Sequence, residues 1–304
     1  MNIFPDGARV CFVGDSITHI GLYIKLILAN YRAQFAERHV EFYNCGIAGG
    51  TLANTLEVYR EDIEIYDPTH IVLMIGVNDS KRDRLDDADK ASRYECLLEA
   101  YEKYKRDLDE MYRLTKERGI ELILCTPVPY DEYQTADSPS LRGGYALMQG
   151  YAAYVKAFAA SHGLELCDYH AAMTKAMQTE TLYAPDRVHP NDRGHFFMAK
   201  AFLEYQGAEL AVSEAFSSDI EEWYGITQKL RNVVAAEYIL VKGYTELSCE
   251  ERMAKIQARL DEARINGSLK DDYVGKLMQG YSELKPHQAD YVEYLKKFMK
   301  SNNL

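Results

Sequence analysis

Four short segments of the chain contain side chains that can act as a nucleophile, a base or a hydrogen-bond donor to a developing charge. They are segments 14–18 (GDSIT), 44–51 (NCGIAGGT), 76–79 (GVND) and 186–190 (DRVHP). A serine hydroxyl becomes a nucleophile only when a positioned base removes its proton. Histidine is the side chain that accepts and returns a proton near neutral pH. The chain therefore holds the residue types that nucleophilic catalysis needs, at positions far apart in the sequence.

None of these segments is decisive alone. A serine that follows Gly-Asp most often lies in a turn or caps a helix, and Asn78-Asp79 by itself would be a turn. Segment 14–18 also lacks the second glycine of the G-x-S-x-G elbow of α/β-hydrolases, because position 18 is Thr. What the segments share is their place in the chain: three follow a predicted strand, and the fourth precedes the last helix of the same pattern.

The first two-thirds of the chain alternates short apolar runs with longer helical patterns. The predicted strands are 9–13, 40–44, 70–75, 121–126 and 164–168, and the predicted helices lie near 21–37, 52–65, 91–118, 145–161 and 191–205. This alternation predicts a parallel sheet that is covered by helices on both faces. In such sheets the ligand binds at the carboxyl ends of the strands.

Taken together, the four segments resemble the four motifs of the SGNH, or GDSL, hydrolases, a family named for Ser, Gly, Asn and His. They occur in the family order, and the resemblance covers about residues 8–206. It implies that Ser16 is the nucleophile, that His189 is the general base, and that Asp186 orients the imidazole. These roles agree with the chemistry of a serine, histidine and carboxylate triad. The implied fold is flavodoxin-like, a three-layer α/β/α core with a five-stranded parallel sheet.

The resemblance also implies an oxyanion hole. Its donors would be the backbone N–H of Ser16, the backbone N–H of Gly49 and the side-chain amide of Asn78. Gly50 is the alternative to Gly49, because the two are adjacent. Such donors stabilise the charge that develops on the substrate oxygen in the transition state. No metal or organic cofactor is expected.

Residues that would touch the substrate are less clearly marked. The candidates are Asp15, Arg187, Tyr130 and Tyr183, with Tyr133 and Tyr145 in neighbouring loops. Asp15 could instead accept backbone hydrogen bonds in its own turn. Many family members that act on sugar esters have an acid where this chain has His19, and many have Gly where it has Arg187. These differences do not involve the triad residues. They leave the identity of the substrate open.

Composition narrows the class of partner. The chain has 304 residues with 35 Lys and Arg against 47 Asp and Glu, a formal charge of -12. That surplus disfavours a nucleic-acid backbone as the main partner. The longest strongly apolar run, 71–77, is far shorter than the roughly 20 residues that span a bilayer. The first residues show no secretory signal, and none of the six cysteines forms a CxxC pair. A cytoplasmic protein with buried free thiols is expected.

The pattern changes after about residue 206. Helices are predicted near 220–241, 249–265, 270–284 and 287–300, and no strand is predicted. The chain is therefore expected to divide into a catalytic domain, 1–206, and an all-helical extension, 207–304. Short helices must bury their apolar faces against something. The extension is thus expected to serve as a lid, to dock on the core, or to form a homo-oligomer.

The predicted function is a serine ester hydrolase. It would act through an acyl-enzyme and remove acetyl or another short acyl group from a carbohydrate or similar polar molecule. One alternative is a lysophospholipase or thioesterase with a channel for a longer acyl chain. A second is an acyltransferase that uses the same triad. An alternative from another class is a non-catalytic binding protein on a hydrolase scaffold.

Overall fold

A computed structural model describes residues 2–136, 140–241 and 283–302, together with positions 251, 254, 258, 261 and 281. Five parallel strands form one sheet in the order β2-β1-β3-β4-β5. Their bounds are β1 Ala8–Gly14, β2 Val40–Gly46, β3 His70–Met74, β4 Glu121–Cys125 and β5 Glu165–Cys167. All five predicted strands are confirmed, and the strand order is the flavodoxin-like one.

Helices cover both faces of the sheet. They are α1 Ser16–Ile20, α2 Leu22–Gln34, α3 Leu52–Glu57, α4 Tyr59–Asp62, α5 Lys90–Glu117, α6 Gly144–His162, α7 Tyr169–Ala176, α8 Asp192–Gln206 and α9 Ser218–Val241, followed by a C-terminal helix, Gln288–Asn302. Short 3-10 helices span Glu64–Tyr66, Arg82–Asp86 and Lys285–His287. No helix within these described parts of the chain is long and apolar enough to cross a membrane.

Aromatic rings fill one side of the sheet. Phe12 of β1 meets Phe42 of β2 at 5.5 Å between ring centroids, and Phe202 of α8 at 5.7 Å. All three rings are fully buried. Burial on this scale supplies most of the drive to fold, and it holds β1 rigidly between β2 and β3, with segment 14–18 at its carboxyl end.

Three local features differ from the predicted pattern. A helix begins already at Ser16, because Asp15 caps it, and it ends at Gly21, whose φ of +64° suits glycine. The predicted helix over 52–65 is broken into α3, α4 and a 3-10 turn. Helix α7 was not predicted; Asp168 caps it by accepting a hydrogen bond from the Ala171 N–H.

The C-terminal part packs against the sheet. The indole of Trp223 in α9 is fully buried and donates to the Phe42 carbonyl at 3.1 Å. The C-terminal helix buries Val292, Leu295 and Met299. The predicted helices over 220–241 and 287–300 are therefore confirmed, and those near 249–265 and 270–284 lie outside the described residues.

Candidate active site

The turn after β1 presents Ser16 at the carboxyl edge of the sheet. The Asp15 carboxylate accepts a hydrogen bond from the Ile17 N–H at 3.0 Å and so caps α1. Gly14 is required before it, because a Cβ there would lie 2.5 Å from the Met74 carbonyl of β3. The sequence therefore forms a strand-to-helix turn in which Ser16 is the first helical residue.

Ser16, His189 and Asp186 form one hydrogen-bonded chain. Ser16 Oγ lies 2.7 Å from His189 Nε2, and His189 Nδ1 lies 2.6 Å from Asp186 Oδ2. The other carboxylate oxygen, Oδ1, accepts from the N–H groups of Val188 and His189, both at 3.0 Å. Partial burial would raise the pKa of Asp186, but these hydrogen bonds outweigh it and lower the pKa below its usual value. A charged Asp186 holds Nδ1 as a donor and leaves Nε2 able to accept the serine proton.

The segment after β2 is tied to the turn that presents Ser16, because the Ile47 N–H donates to the Gly14 carbonyl at 2.9 Å. Gly49 has a φ of +73°, which glycine adopts without strain. The Gly50 N–H is occupied, since it donates to the Ile47 carbonyl at 2.8 Å. Within the described residues, no hydrogen bond is found for the N–H of Gly49 or of Ser16. This favours Gly49 over Gly50 as a donor to a substrate oxygen.

Asn78 and Asp79 tie this glycine segment to the end of β3. The Asn78 amide donates to the Gly50 carbonyl at 2.9 Å, which uses one of its two hydrogens. The Asp79 carboxylate accepts from the Leu52 N–H at 2.9 Å. Both contacts fix the loop that carries Gly49 relative to Asn78. From the sequence, Asp79 is expected only as part of a turn, and the acid directly after Asn78 is the signal that points to a further role.

Two carboxyl groups beside the triad are buried. Burial raises the pKa of Asp15 to about 6 and that of Asp79 to about 7. A hydrogen bond from the Ile17 N–H partly offsets the effect at Asp15, and one from the Leu52 N–H does so at Asp79. Both groups therefore change charge near neutral pH. The charge of Asp15 is coupled to His189 on one side and to Asp79 on the other.

Arg187 lies buried beneath the loop that follows β4. It is 4% exposed and has a φ of +68°. Its guanidinium donates to the carbonyls of Asp131 at 3.4 Å, Gln134, and Ala136 at 3.3 Å. Its backbone carbonyl also accepts from the Asp131 N–H at 3.0 Å. In this structure the side chain of Arg187 shapes the loop rather than facing open solvent.

The other candidate substrate residues are mostly buried rather than open to a ligand. Tyr130 and Tyr183 are both buried, and the Tyr130 hydroxyl accepts from the Leu141 N–H at 3.1 Å. Asp15 is also buried in its own turn. Tyr133, in contrast, is 80% exposed on the same loop that Arg187 holds. Of the predicted tyrosines, Tyr133 offers the most open ring face to a ligand.

Comparison with known protein families identifies the family of this chain. Residues 12–196 match the model of the GDSL-like lipase/acylhydrolase family. The chain is a member of that family. It is therefore a carboxylic ester hydrolase, and the resemblance drawn from the four sequence segments is confirmed.

Relatives agree with this family. An acetylxylan esterase of Geobacillus stearothermophilus is 30% identical over 221 residues, which are 67% of this chain and 96% of that protein. A crystal structure of an acetylxylan esterase from the same organism is 27% identical, with a TM-score of 0.56, and the match covers 70% of this GDSL chain and all of that one. A gut microbial diltiazem-metabolizing enzyme, 17% identical, shares the fold over the whole of this chain and 96% of its own, with a TM-score of 0.77. The likeness thus covers the whole of this chain in one neighbour and 70% of it in the other.

Proposed function

We propose that this GDSL family member hydrolyses small esters through an acyl-enzyme formed on Ser16. The observation that carries the proposal is the continuous hydrogen-bonded chain from Ser16 Oγ through His189 to Asp186, with 2.7 Å and 2.6 Å contacts. A serine so placed can lose its proton to the imidazole as it attacks a carbonyl. Asp186 stabilises the imidazolium that results.

The charge on the attacked carbonyl oxygen needs donors. In the proposal these are the N–H groups of Ser16 and Gly49 and the second hydrogen of the Asn78 amide. His189 then returns its proton to the alcohol that leaves, and the acyl group remains on Ser16. A water molecule, deprotonated by the same imidazole, releases the acid in the second half of the cycle.

A short acyl group on a carbohydrate or similar polar alcohol is the proposed substrate. The named activity of the Geobacillus relative, an acetylxylan esterase, supports this choice.

A panel of p-nitrophenyl esters from acetyl to palmitoyl, with acetylated xylo-oligosaccharides beside them, tests the proposal. We expect turnover to be highest for acetyl and to disappear in Ser16→Ala. A preference for chains beyond about eight carbons would instead support the lysophospholipase or thioesterase. Formation of a new ester with an added alcohol would identify an acyltransferase. Equal inactivity of the wild type and Ser16→Ala across the panel would favour a binding protein.

We also propose that residues 1–206 carry the chemistry and that 207–304 dock on them. The buried indole of Trp223 and its bond to the Phe42 carbonyl support this division of roles. A chain truncated after residue 206 is expected to aggregate on expression. A truncated chain that remained monomeric and fully active would contradict the docking role, and light scattering on the full chain tests whether the extension also forms a homo-oligomer.

A further inference from the structure

Helix α9 lies outside the part of the chain that the family model matches, which ends at residue 196. It nevertheless contacts the short helix that begins with Ser16. The Tyr224 hydroxyl donates to the Ile20 carbonyl at 2.8 Å. The Gln228 amide donates to the carbonyls of His19 at 3.0 Å and Ile20 at 3.1 Å. Two side chains of α9 therefore bind the C-terminal end of α1.

These hydrogen bonds provide partners for the backbone carbonyls at the end of α1. A helix of five residues has carbonyls at its end without partners in the helix, and a helix this short is not stable alone. The Asn44 amide of β2 also donates to the Thr18 carbonyl at 2.7 Å. The helix that presents Ser16 is thus held by the sheet through Asn44 and by α9 through Tyr224 and Gln228.

A second contact of α9 reaches the strand that leads into the glycine segment. Arg231 is 1% exposed, and its guanidinium makes a bidentate pair with Asp62 at the end of α4, at 2.7 and 2.5 Å. The same Nη1 lies 3.5 Å from the Gly46 carbonyl at the end of β2. A buried, bidentate arginine has little freedom to move. Arg231 therefore anchors α9 to both α4 and β2.

Gly46 and α1 are in tight contact. A Cβ at position 46 would lie 2.2 Å from the His19 nitrogen. A shift of α1 must therefore change its distance from the end of β2, and with it the distance from Ser16 to Gly49, three residues further along. Both groups are part of the proposed mechanism, and misplacement by about 1 Å can cost up to 10²-fold in rate.

We propose that Tyr224, Gln228 and Arg231 of α9 are positioning residues, which hold Ser16 and the Gly49 N–H at their working separation. The inference rests on the proposed function, since it assumes that these two groups act on the substrate. It assigns to the C-terminal extension a part in forming the active site. That differs from a lid, which would move over a site that is complete without it.

The test compares Gln228→Ala and Tyr224→Phe with Lys229→Ala, an exposed neighbour on the same helix. With p-nitrophenyl acetate we expect kcat to fall about tenfold in the first two variants and KM to stay within about twofold. The rate at which a fluorophosphonate labels Ser16 should fall with kcat. Gln228→Glu should lower kcat more than Gln228→Ala does, because its carboxylate oxygens would face and repel the carbonyls of His19 and Ile20. Lys229→Ala should match the wild type.

Two further results separate the possible outcomes. If the folded fraction of Gln228→Ala, measured by circular dichroism, falls as much as kcat, or if kcat stays within about twofold of the wild type, the positioning role is wrong. If instead Ser16→Ala is as active as the wild type, it is the proposed function that fails. Loss of Arg231 alone can prevent folding, because it leaves the buried charge of Asp62 without a partner. The double variant Arg231→Met with Asp62→Leu avoids this, since it removes both charges. That double variant should fold and should also lose kcat without a change in KM.

Discussion

The turn that presents Ser16 and the helix α9 that packs beside it depend on contacts of different range. In the turn the decisive contacts are local: Asp15 caps α1 through the N–H two residues ahead. In α9 the contacts to the site join residues between 169 and 209 positions apart in the chain, from Arg231 with Asp62 to Gln228 with His19. A local turn can present a reactive group, but its position relative to other groups depends on distant segments.

The two regions also differ in electrostatics. The triad is partly open to water, with the His189 side chain 34% exposed, so its carboxylate remains solvated while it orients the imidazole. The Arg231 and Asp62 pair is enclosed, and each ion depends on the other for its charge to be tolerated. Substitutions in the turn should therefore change rate at constant stability, and substitutions in the buried pair should change stability first.

The largest effect is expected at the nucleophile. Ser16→Ala should lower kcat/KM for p-nitrophenyl acetate by a factor on the order of 10⁴–10⁶, because the covalent route is lost. The thermal midpoint should change by no more than a few degrees, since only one hydroxyl is removed and the position is half-buried. Steady-state kinetics beside calorimetry measure both. A residual rate above about 1% of wild type would remove Ser16 from the mechanism.

The second-largest effect is expected on the stability of the protein, at the buried ion pair of helix α9. Arg231→Ala leaves Asp62 as a buried charge without its partner, and it should lower the free energy of unfolding by about 3–5 kcal/mol. Lys229→Ala, at an exposed position of the same helix, is the matched control and should be close to neutral. Urea unfolding of both variants gives the comparison. Equal stability of the two would show that α9 is not anchored through this pair.

Asn78→Ala should give a smaller loss of rate, about 10²–10³ in kcat, if its amide binds the oxyanion. KM should change little, because that interaction strengthens only in the transition state. Asn78 also anchors Gly50, so Asn78→Asp, which keeps the shape of the side chain, is a useful second variant. If kcat falls by less than about fivefold in both, Asn78 is not a donor to the transition state.

The smallest expected effect concerns the buried Asp79. Its pKa is raised in the folded protein to about 7, from an ordinary value of 3.8, so the folded state binds a proton that the unfolded state has released. This proton stabilises the fold less and less as pH rises from about 4 to 7. Asp79→Asn removes that dependence, so relative to wild type it should gain stability at pH 8 and little at pH 4.

Urea unfolding at both pH values measures this difference. The exposed Asp83→Asn serves as a control and should keep the wild-type dependence on pH. Parallel pH profiles for wild type and Asp79→Asn would mean that the Asp79 carboxyl is charged in the folded protein throughout this range.

Much of the fold was predictable because it follows from local patterns. The apolar runs of β1 to β5 and the cap residues around them are visible in the sequence, and all five strands were found. The break at Val58 between α3 and α4 was not, because no proline or glycine marks it. Helix α7 was missed for a related reason, since its eight residues follow β5 without a loop.

For the site, the sequence indicated Ser16, Asn78, Asp186 and His189 and left the neighbours open. Arg187 was expected among residues that touch the substrate, yet its guanidinium is buried against three loop carbonyls. Nothing in the segment DRVHP shows whether Arg187 faces a substrate or is buried, because the carbonyls that it binds come from a loop about 50 residues earlier. The acid after Asn78 hinted at a role for Asp79, but its partner, the Leu52 N–H, could not be inferred, since that contact depends on how two loops meet.

By itself, then, the sequence of this GDSL family member determined the strands, the helix caps and the turns in which Ser16, Asn78, Asp186 and His189 stand, because caps, glycines and apolar runs act over a few positions. Only the tertiary structure decided that Gly49 rather than Gly50 has a free N–H, that Arg187 is buried, and that α9 holds the helix of Ser16. Those features depend on hydrogen bonds and ion pairs between segments whose separation in the chain says nothing about their distance in space.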